Sequence, residues 1–546
     1  MATVQRGDSH DDRQASGGEI LEKGSAPACV DENPPADDND TEPKSFSKIV
    51  FVLITLALMS AIFLAALDDQ PSLTWPTSQQ LTRFFVAIVI PTITTDFGSI
   101  ANVSWYGGAY SLTKMAFQPT FGRAYYLWKL KTVFLASIAL FVIGSIISAV
   151  SPNSSVLIFG RAVQGLGSAG LFSGALTLAS FAVSKKKLPL FISILSSMYA
   201  AASVLGPIIG GYVTGSHLSW RFCFWINLQT TRTSLVDKLL GFDPVGTVLL
   251  VGALTTLVLA LQWGGSQLPW SSHQVLGTLI ASAALVFLFA VVQVKLKERA
   301  LIPVRVLKQR TVAISCVVAM LQTMAITTLT YYLPFYFQAT KGLSPSQGGT
   351  YLLALAVPNS FFSIISGTAV TMAGYYVPWL MLGGSVFSVG SALLSTLNQA
   401  SPVREIVGYE ILASAGFGFG VQLPLVAMQN VLPRSDIPTA NALYPFFQAL
   451  GTTLGLATSQ AIFASTLRST LAASLPQETV QLVLDAGAAA VHTGGIPADL
   501  VALVADGYRK AVQDALYQSV ASAGLTFFFS WFIEWKPMSE LSEAME

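Results

Sequence analysis

The sequence predicts an all-α polytopic membrane protein, and three observations carry that prediction. Of 546 residues, 52% are hydrophobic and 11% charged, against about 25% charged in soluble chains. Thirteen apolar stretches of roughly the length that crosses a ~30 Å hydrocarbon layer follow one another from Ile49 to Trp535. The stretch Ser197 to Gly215 is too apolar for a loop and too rich in glycine for a soluble helix. In lipid it makes sense, because Gly206, Gly210, Gly211 and Gly215 leave a smooth face for another helix, and Pro207 breaks its backbone ladder.

Other classes fall away on composition. A net charge of +1 gives no reason to expect nucleic acid as a partner. Cys29, Cys223 and Cys316 have neither metal nor disulfide spacing. The four histidines, His10, His217, His273 and His492, fall in the tail or in predicted loops, which disfavours a membrane metalloenzyme. No phosphate-binding Gly-x-x-x-x-Gly-Lys-Ser/Thr loop is present to hold a nucleotide. No cofactor, no metal and no enzymatic activity are expected.

Taken in order, residues 1–47 are polar, acidic and broken by Pro and Gly, and read as a disordered cytoplasmic tail. The N-terminal bundle is placed at 48–228. Its first span begins near Lys48 and ends in Asp68 and Asp69; further spans run Trp105 to Tyr125, Val133 to Val150, Val156 to Val183 and Leu188 to Val213. Linker helices and a basic loop occupy 229–310, with spans at Val245 to Leu261 and Val275 to Val294. The C-terminal bundle is placed at 311–536: Val312 to Phe337, Gly348 to Met372, Val377 to Leu397, Ile406 to Leu432, Ala440 to Leu467 and Ala515 to Trp535. An external loop is expected at 469–514 and a cytoplasmic tail at 537–546.

Basic residues mark the inner side. Lys185 to Lys187 form one inner loop, and Lys295 to Arg310 another. An even number of crossings must separate them, yet only three full spans lie between. Trp220 to Leu228 begins a fourth and stops, so it is read as a truncated sixth span, giving fourteen with both termini inside.

The motifs supply a family. Ile158-Phe-Gly-Arg-Ala-Val-Gln-Gly-Leu-Gly167 puts Arg161, Gln164 and Gly165 on one helix face. A charge so deep costs about 2.5–3.5 kcal/mol even on the lenient insertion scale, so it is expected to face a water-filled cavity or a carboxylate; an interhelical bridge that only holds the bundle is the plainer reading. Gly122-Arg-Ala-Tyr-Tyr-Leu-Trp-Lys-Leu-Lys131 is a basic inner loop whose Arg123, Lys129 and Lys131 suit helix C-termini. With Gly-Pro-Ile-Ile-Gly-Gly211 these segments resemble the proton-transfer motif, the cytoplasmic gating loop and the antiporter helix of the major facilitator superfamily. The gating loop lacks the acidic residue usual there. Trp220 to Leu228, Asp243-Pro-Val-Gly246 and Leu261-Gln-Trp-Gly-Gly265 resemble its fungal fourteen-span drug:proton antiporter branch. Relatives usually carry Gln where Gly408-Tyr-Glu-Ile-Leu-Ala-Ser-Ala-Gly416 has Glu410, making this carboxylate a second intramembrane candidate unless it lies at the outer interface.

The resemblance covers about Lys48 to Lys536. In the family the first helix runs on without the polar segment Gln70 to Phe84; we read 70–84 as an aberrant insertion, a retained intron, and the break after Leu228 as over-trimmed coding sequence, the alternative being a real loop between half-helices. The resemblance implies two six-helix bundles plus two central helices, a midplane cavity, and proton-driven export of a small, largely apolar compound such as a toxin, drug or secondary metabolite. It implies proton coupling through Asp68 or Asp69 with Arg161, and Glu410 in reserve. A monomer in the plasma membrane is expected, the vacuolar membrane being the other candidate. Asn102 and Asn153 sit in N-glycosylation sequons on predicted outer loops. A same-fold importer of a siderophore or nutrient conflicts with the antiporter helix, and a receptor or scaffold leaves Arg161 without a task.

Overall fold

The computed structural model describes residues 103–198, 244–264, 270–296, 300–343, 345–486 and 499–538, together with Thr55, Met59, Ala202, Arg221, Phe224, Val491 and Pro497. Several predicted features lie outside the described residues: Asp68, Asp69, the 70–84 segment, Asn102, the antiporter-helix glycines Gly206, Gly210 and Gly211 with Pro207, and the N-terminal tail. Among the described residues the chain is helical, with no β-strand.

In the first half, α1 (Val103–Leu127), α2 (Leu130–Ala149) and α3 (Ser154–Ala182) pack side by side. A single 3-10 turn, Lys185–Lys187, leads into α4, described over 188–198. The linker pair α5 (Pro244–Trp263) and α6 (His273–Leu296) packs on itself, and α5 also touches α1. The second half runs α7 (Val304–Lys308), α8 (Arg310–Phe335), α9 (Pro345–Tyr351), α10 (Leu353–Ala373), α11 (Val377–Ser395), α12 (Val403–Gly420), α13 (Leu423–Val431), α14 (Ile437–Ala472), α15 (Gln477–Ala486) and α16 (Val501–Ser530). Helix α8 contains Pro334 and continues as a wide turn over Tyr336–Thr340, as expected where a residue without an N–H disturbs the ladder. Helix α10 stops at Gly374, whose φ of 75° closes the helix in the left-handed conformation.

Seven described helices are long and apolar enough to cross a membrane by composition alone. Of these, α6 is the most apolar and the least buried, whereas α3 is among the least apolar and is mostly buried. That inverse relation is expected where lipid-facing helices must be greasy and bundle-facing ones can carry polar groups.

The two halves repeat one packing device. A Cβ built on Gly144 of α2 would stand 2.3 Å from the backbone N of Gln164, and one on Gly167 of α3 would stand 2.3 Å from the backbone N of Phe141. In the second half, Gly390 of α11 faces the backbone N of Ala413 at 2.4 Å, and Gly416 of α12 faces that of Phe387 at 2.1 Å. Both pairs therefore cross with backbones in contact, which only glycine allows. Both pairs also lead to a 3-10 turn, Lys185–Lys187 or Arg434–Asp436, followed by Leu188-Pro189 or Ile437-Pro438 at the next helix start.

Two boundaries differ from expectation. Helix α16 begins at Val501, 14 residues before the expected Ala515 (515 − 501). Arg509 pairs with Asp506 at 2.7 Å and Asp514 accepts from the Thr466 hydroxyl at 2.9 Å. The apolar side of that extension, Val504, Tyr508 and Ala511, buries against Leu467, Leu471 and Val480. At the other end, Lys536 to Met538 does not leave as a tail directly. Tyr376 donates to the Glu534 carbonyl at 2.8 Å, the Met538 N–H donates to the Gly374 carbonyl at 2.9 Å, and the Met538 side chain is buried.

Candidate functional site

Arg161 sits two turns into α3 and is 0% exposed. Its Nε donates to the Tyr106 carbonyl at 2.9 Å and its Nη1 to the Gln164 Oε1 at 2.8 Å. The guanidinium lies 4.4 Å from the ring centre of Tyr110 and 5.9 Å from that of Phe224, a geometry in which ring quadrupoles attract a cation. A second layer holds these partners. Gln164 Nε2 donates to Ser145 Oγ at 2.9 Å, the Tyr110 hydroxyl donates to Ser168 Oγ at 2.7 Å, and the Tyr106 hydroxyl is 2.8 Å from Ser154 Oγ. Gly165 makes the assembly fit, since a Cβ there would stand 2.2 Å from the Tyr110 carbonyl oxygen. Arg161 is thus clamped between α1, α3 and Phe224, and nearby in sequence Arg221 donates to the Ser151 carbonyl at 2.9 Å.

Glu410 is its counterpart. Helix α3 begins at Ser154 and α12 at Val403, and the crossing contacts pair Gln164 with Ala413 and Gly167 with Gly416. In that register Arg161 matches Glu410. Each lies seven residues into its helix (161 − 154 and 410 − 403), about 10 Å below the helix start. Glu410 is also 0% exposed, enclosed by other residues of the protein.

The ends of the halves that carry the Lys185–Lys187 and Arg434–Asp436 turns are closed on each other. A Cβ on Gly122 of α1 would meet Ala442 Cβ of α14 at 2.3 Å and the Pro438 carbonyl oxygen at 3.2 Å. Asn441 donates to Thr177 Oγ1 at 3.0 Å, and Gln429 donates to Ser180 Oγ at 3.1 Å. An apolar cluster joins Leu176, Leu188 and Ile192 of the first half to Val312, Leu425 and Leu443 of the second. At the same level Arg305 makes a two-pronged bridge to buried Asp436, at 2.9 and 3.1 Å. Lys185 has a lowered pKa, from partial burial and from the Arg434 guanidinium across the seam.

The family model described as Major Facilitator Superfamily matches residues 77–456. The chain belongs to the Major Facilitator Superfamily. Among curated relatives of this superfamily member, efflux pump aunC of Aspergillus niger is 36% identical over 89% of this chain and 93% of its own length. Efflux pump roqT of Penicillium rubens is 35% identical over 90% and 91%, and MFS-type transporter ltbE of Aspergillus luteorubrus 35% over 89% and 90%. Two solved structures share the fold. The proton:xylose symporter XylE has a TM-score of 0.53, 13% identity and coverage of 91% and 99%; FucP in an outward conformation has 0.52, 11%, and 89% and 100%.

As a major facilitator transporter embedded in a membrane, the chain shows which sequence candidates meet. Arg161, Gln164 and Gly165 form one site, and Gly122 with Arg123 lies at the inner closure, Arg123 being nearly buried with its guanidinium 4.8 Å from the Tyr126 ring centre. Lys131 is exposed on the first turn of α2 and takes no place in that contact. Asn153 caps α3, its Oδ1 accepting from the Val156 N–H at 3.0 Å, so this exposed sequon is pinned at the very start of a span. The residues that sequence reasoning missed are Tyr106, Tyr110, Ser145 and Phe224, whose types read equally well as interfacial or packing residues.

Proposed function

We propose that this transporter exports a small, largely apolar organic compound, of the toxin or secondary-metabolite kind, in exchange for protons by alternating access, as a monomer in the plasma membrane. The names of the curated relatives support the direction of transport. The observation that supports the mechanism is the fully buried Arg161, held by the Tyr106 carbonyl, Gln164 and the rings of Tyr110 and Phe224. A proton antiporter needs a carboxylate whose proton affinity changes with conformation, and a fixed cation is the simplest means of tuning one. In this reading Asp68, or Asp69 in its place, exchanges a proton for substrate, while Arg161 favours its ionised form when the site is unloaded. Glu410 is the reserve carboxylate in the other half. The inner closure around Gly122 is one end state, and parting of α1 from α14 gives the other.

The test is uptake into inside-out membrane vesicles with an imposed gradient, lumen acidic. The parent should accumulate a lipophilic fluorescent substrate only with the gradient present. Arg161→Ala and Asp68→Asn should reach the membrane and lose uphill transport, Asp68→Asn keeping downhill exchange. Normal gradient-driven accumulation by the Asp68→Asn, Asp69→Asn double variant removes the first span from the coupling scheme.

A further inference from the structure

Helix α1 crosses the first half with a lysine, Lys114, halfway along its length. At 100° per residue its faces can be assigned from its contacts. Tyr110 and Thr113 meet α3, through Ser168 Oγ at 2.7 Å and the Ala162 carbonyl at 2.8 Å. Met115 and Gly122 meet α14, through the cluster containing Phe446 and through Ala442. Ser111, Lys114 and Gln118, spaced i, i+3 and i+7, occupy the wedge between those faces, toward the seam of the two halves. Lys114 is half-buried, its ammonium 5.6 Å from the ring centre of Phe172, a member of the apolar cluster that joins the halves.

The stripe has unused hydrogen-bonding capacity. Gln118 is 0% exposed; its Nε2 donates to Ser173 Oγ at 3.4 Å, but its Oε1 has no hydrogen-bond partner among the described residues. The Oγ of Ser111, one turn above Lys114, likewise has none. Buried polar atoms are nearly always satisfied, and these two exceptions, Ser111 Oγ and Gln118 Oε1, flank Lys114 on one helix face.

We infer that Ser111, Lys114 and Gln118 form a recognition site for the acidic group of an organic anion that also carries a hydroxyl. The ligand carboxylate or phenolate sits on the Lys114 ammonium and accepts from the Ser111 hydroxyl, and a ligand hydroxyl donates to Gln118 Oε1. Phe172 supplies a ring face for the apolar body. This deepens the export reading by naming the substrate class, and it rests on that reading only for the direction of movement.

The probes are 6-hydroxy-2-naphthoate and its methyl ester, which share one body and differ in the charge. Binding to the purified full-length protein is measured by equilibrium dialysis, and uptake in inside-out vesicles. The parent should bind the acid about tenfold or more tighter than the ester, the fold-change one charge-assisted hydrogen bond supplies. Lys114→Gln should bring the ratio to about one, and Lys114→Arg should keep most of the preference. Equal affinities in the parent, or an unchanged ratio in Lys114→Gln, overturn the inference. Equal loss of both probes in a membrane-inserted Lys114→Gln also overturns it, making Lys114 part of packing or coupling. Acid preference without gradient-driven uptake of either probe supports the site and sinks the export reading instead; gradient-driven ester uptake without acid preference does the reverse.

Discussion

Adding a side chain at Gly122 tests the inner closure directly. The Cβ would stand 2.3 Å from Ala442 Cβ, whereas ordinary contact begins at 3.4 Å, so α1 and α14 must part by at least about 1.1 Å (3.4 − 2.3) at their inner ends. The Pro438 carbonyl oxygen at 3.2 Å leaves little room for a sideways shift. Overpacking of this kind costs about 1–3 kcal/mol. The cost falls only on the state in which these helices touch, so it shifts the closed-to-open ratio by roughly 5- to 150-fold. The readout is alkylation of a cysteine placed at Ser180, which accepts from Gln429 across the seam, in a protein with Cys29, Cys223 and Cys316 replaced by serine. A membrane-impermeant maleimide applied to inside-out vesicles reaches Ser180→Cys only when the inner side opens. Gly122→Ala should label faster than the parent and Gly122→Val faster still. Gly108→Ala on the same helix, where an added Cβ meets nothing within 4 Å, should label at the parent rate. Parent-like labelling of membrane-inserted Gly122→Val would refute the assignment of this contact as the inner gate.

The other expectations use the same vesicles. Arg161→Lys keeps the charge but loses the planar donor set that bonds Tyr106 and Gln164; it should reach the membrane with uphill export reduced at least about tenfold, and normal export would leave Arg161 a charge requirement only. Glu410→Gln should shift the pH at which export is half-maximal without lowering membrane delivery, and an unmoved profile would make Glu410 a packing residue. The lowered pKa of Lys185 means that its charged form is disfavoured in the closed turn. The closed state therefore gains stability as pH rises through that pKa toward the ordinary lysine value. Lys185→Gln should slow Ser180→Cys labelling near neutral pH, and faster labelling would contradict the sign.

The spans were legible wherever lipid contact forces an apolar run, as in α2 and α6, and the charge of Arg161 stood out because nothing else in its run is ionic. The start of α16 was not legible. Asp506, Arg509, Lys510 and Asp514 interrupt the hydropathy, yet a helix continues through them because their charges face one another and Thr466 while Val504, Tyr508 and Ala511 find a core above the bundle. The aromatic clamp on Arg161 was hidden for a different reason. Tyr110 lies in the same helix as many other large side chains, and Phe224 belongs to a Trp-rich string that suits an interfacial belt; only the crossing of α1 on α3 at Gly165 and the arrival of the sixth span bring the two rings to one guanidinium.

The register that equates Arg161 with Glu410 was beyond sequence reading because the few residues the halves share at these crossings, two glycines and a phenylalanine each, are too common in apolar helices to align them without the contacts. Gly144 and Gly167 set the first crossing and Gly390 and Gly416 the second; of the residues they touch, Phe141 and Phe387 match in type and Gln164 and Ala413 do not. Backbone contact at both crossings fixes the rotation of α3 and α12, and with it the direction and depth of the residue six positions before Gly167 or Gly416. Opposite charges at equivalent depth then give the halves different electrostatic parts. In the proposed cycle the part of Arg161 is to bias its neighbours through its charge, whereas a carboxylate can bind and release a proton as its surroundings change. In the proposed cycle the proton loads on Asp68 or Asp69 in the half that carries Arg161, with Glu410 as the reserve site in the other half, so loading acts on one half at a time. Coupling in the proposed cycle needs that asymmetry, because rocking of the halves about the Gly122 contact can be driven by protons only if loading one half changes its energy relative to the other.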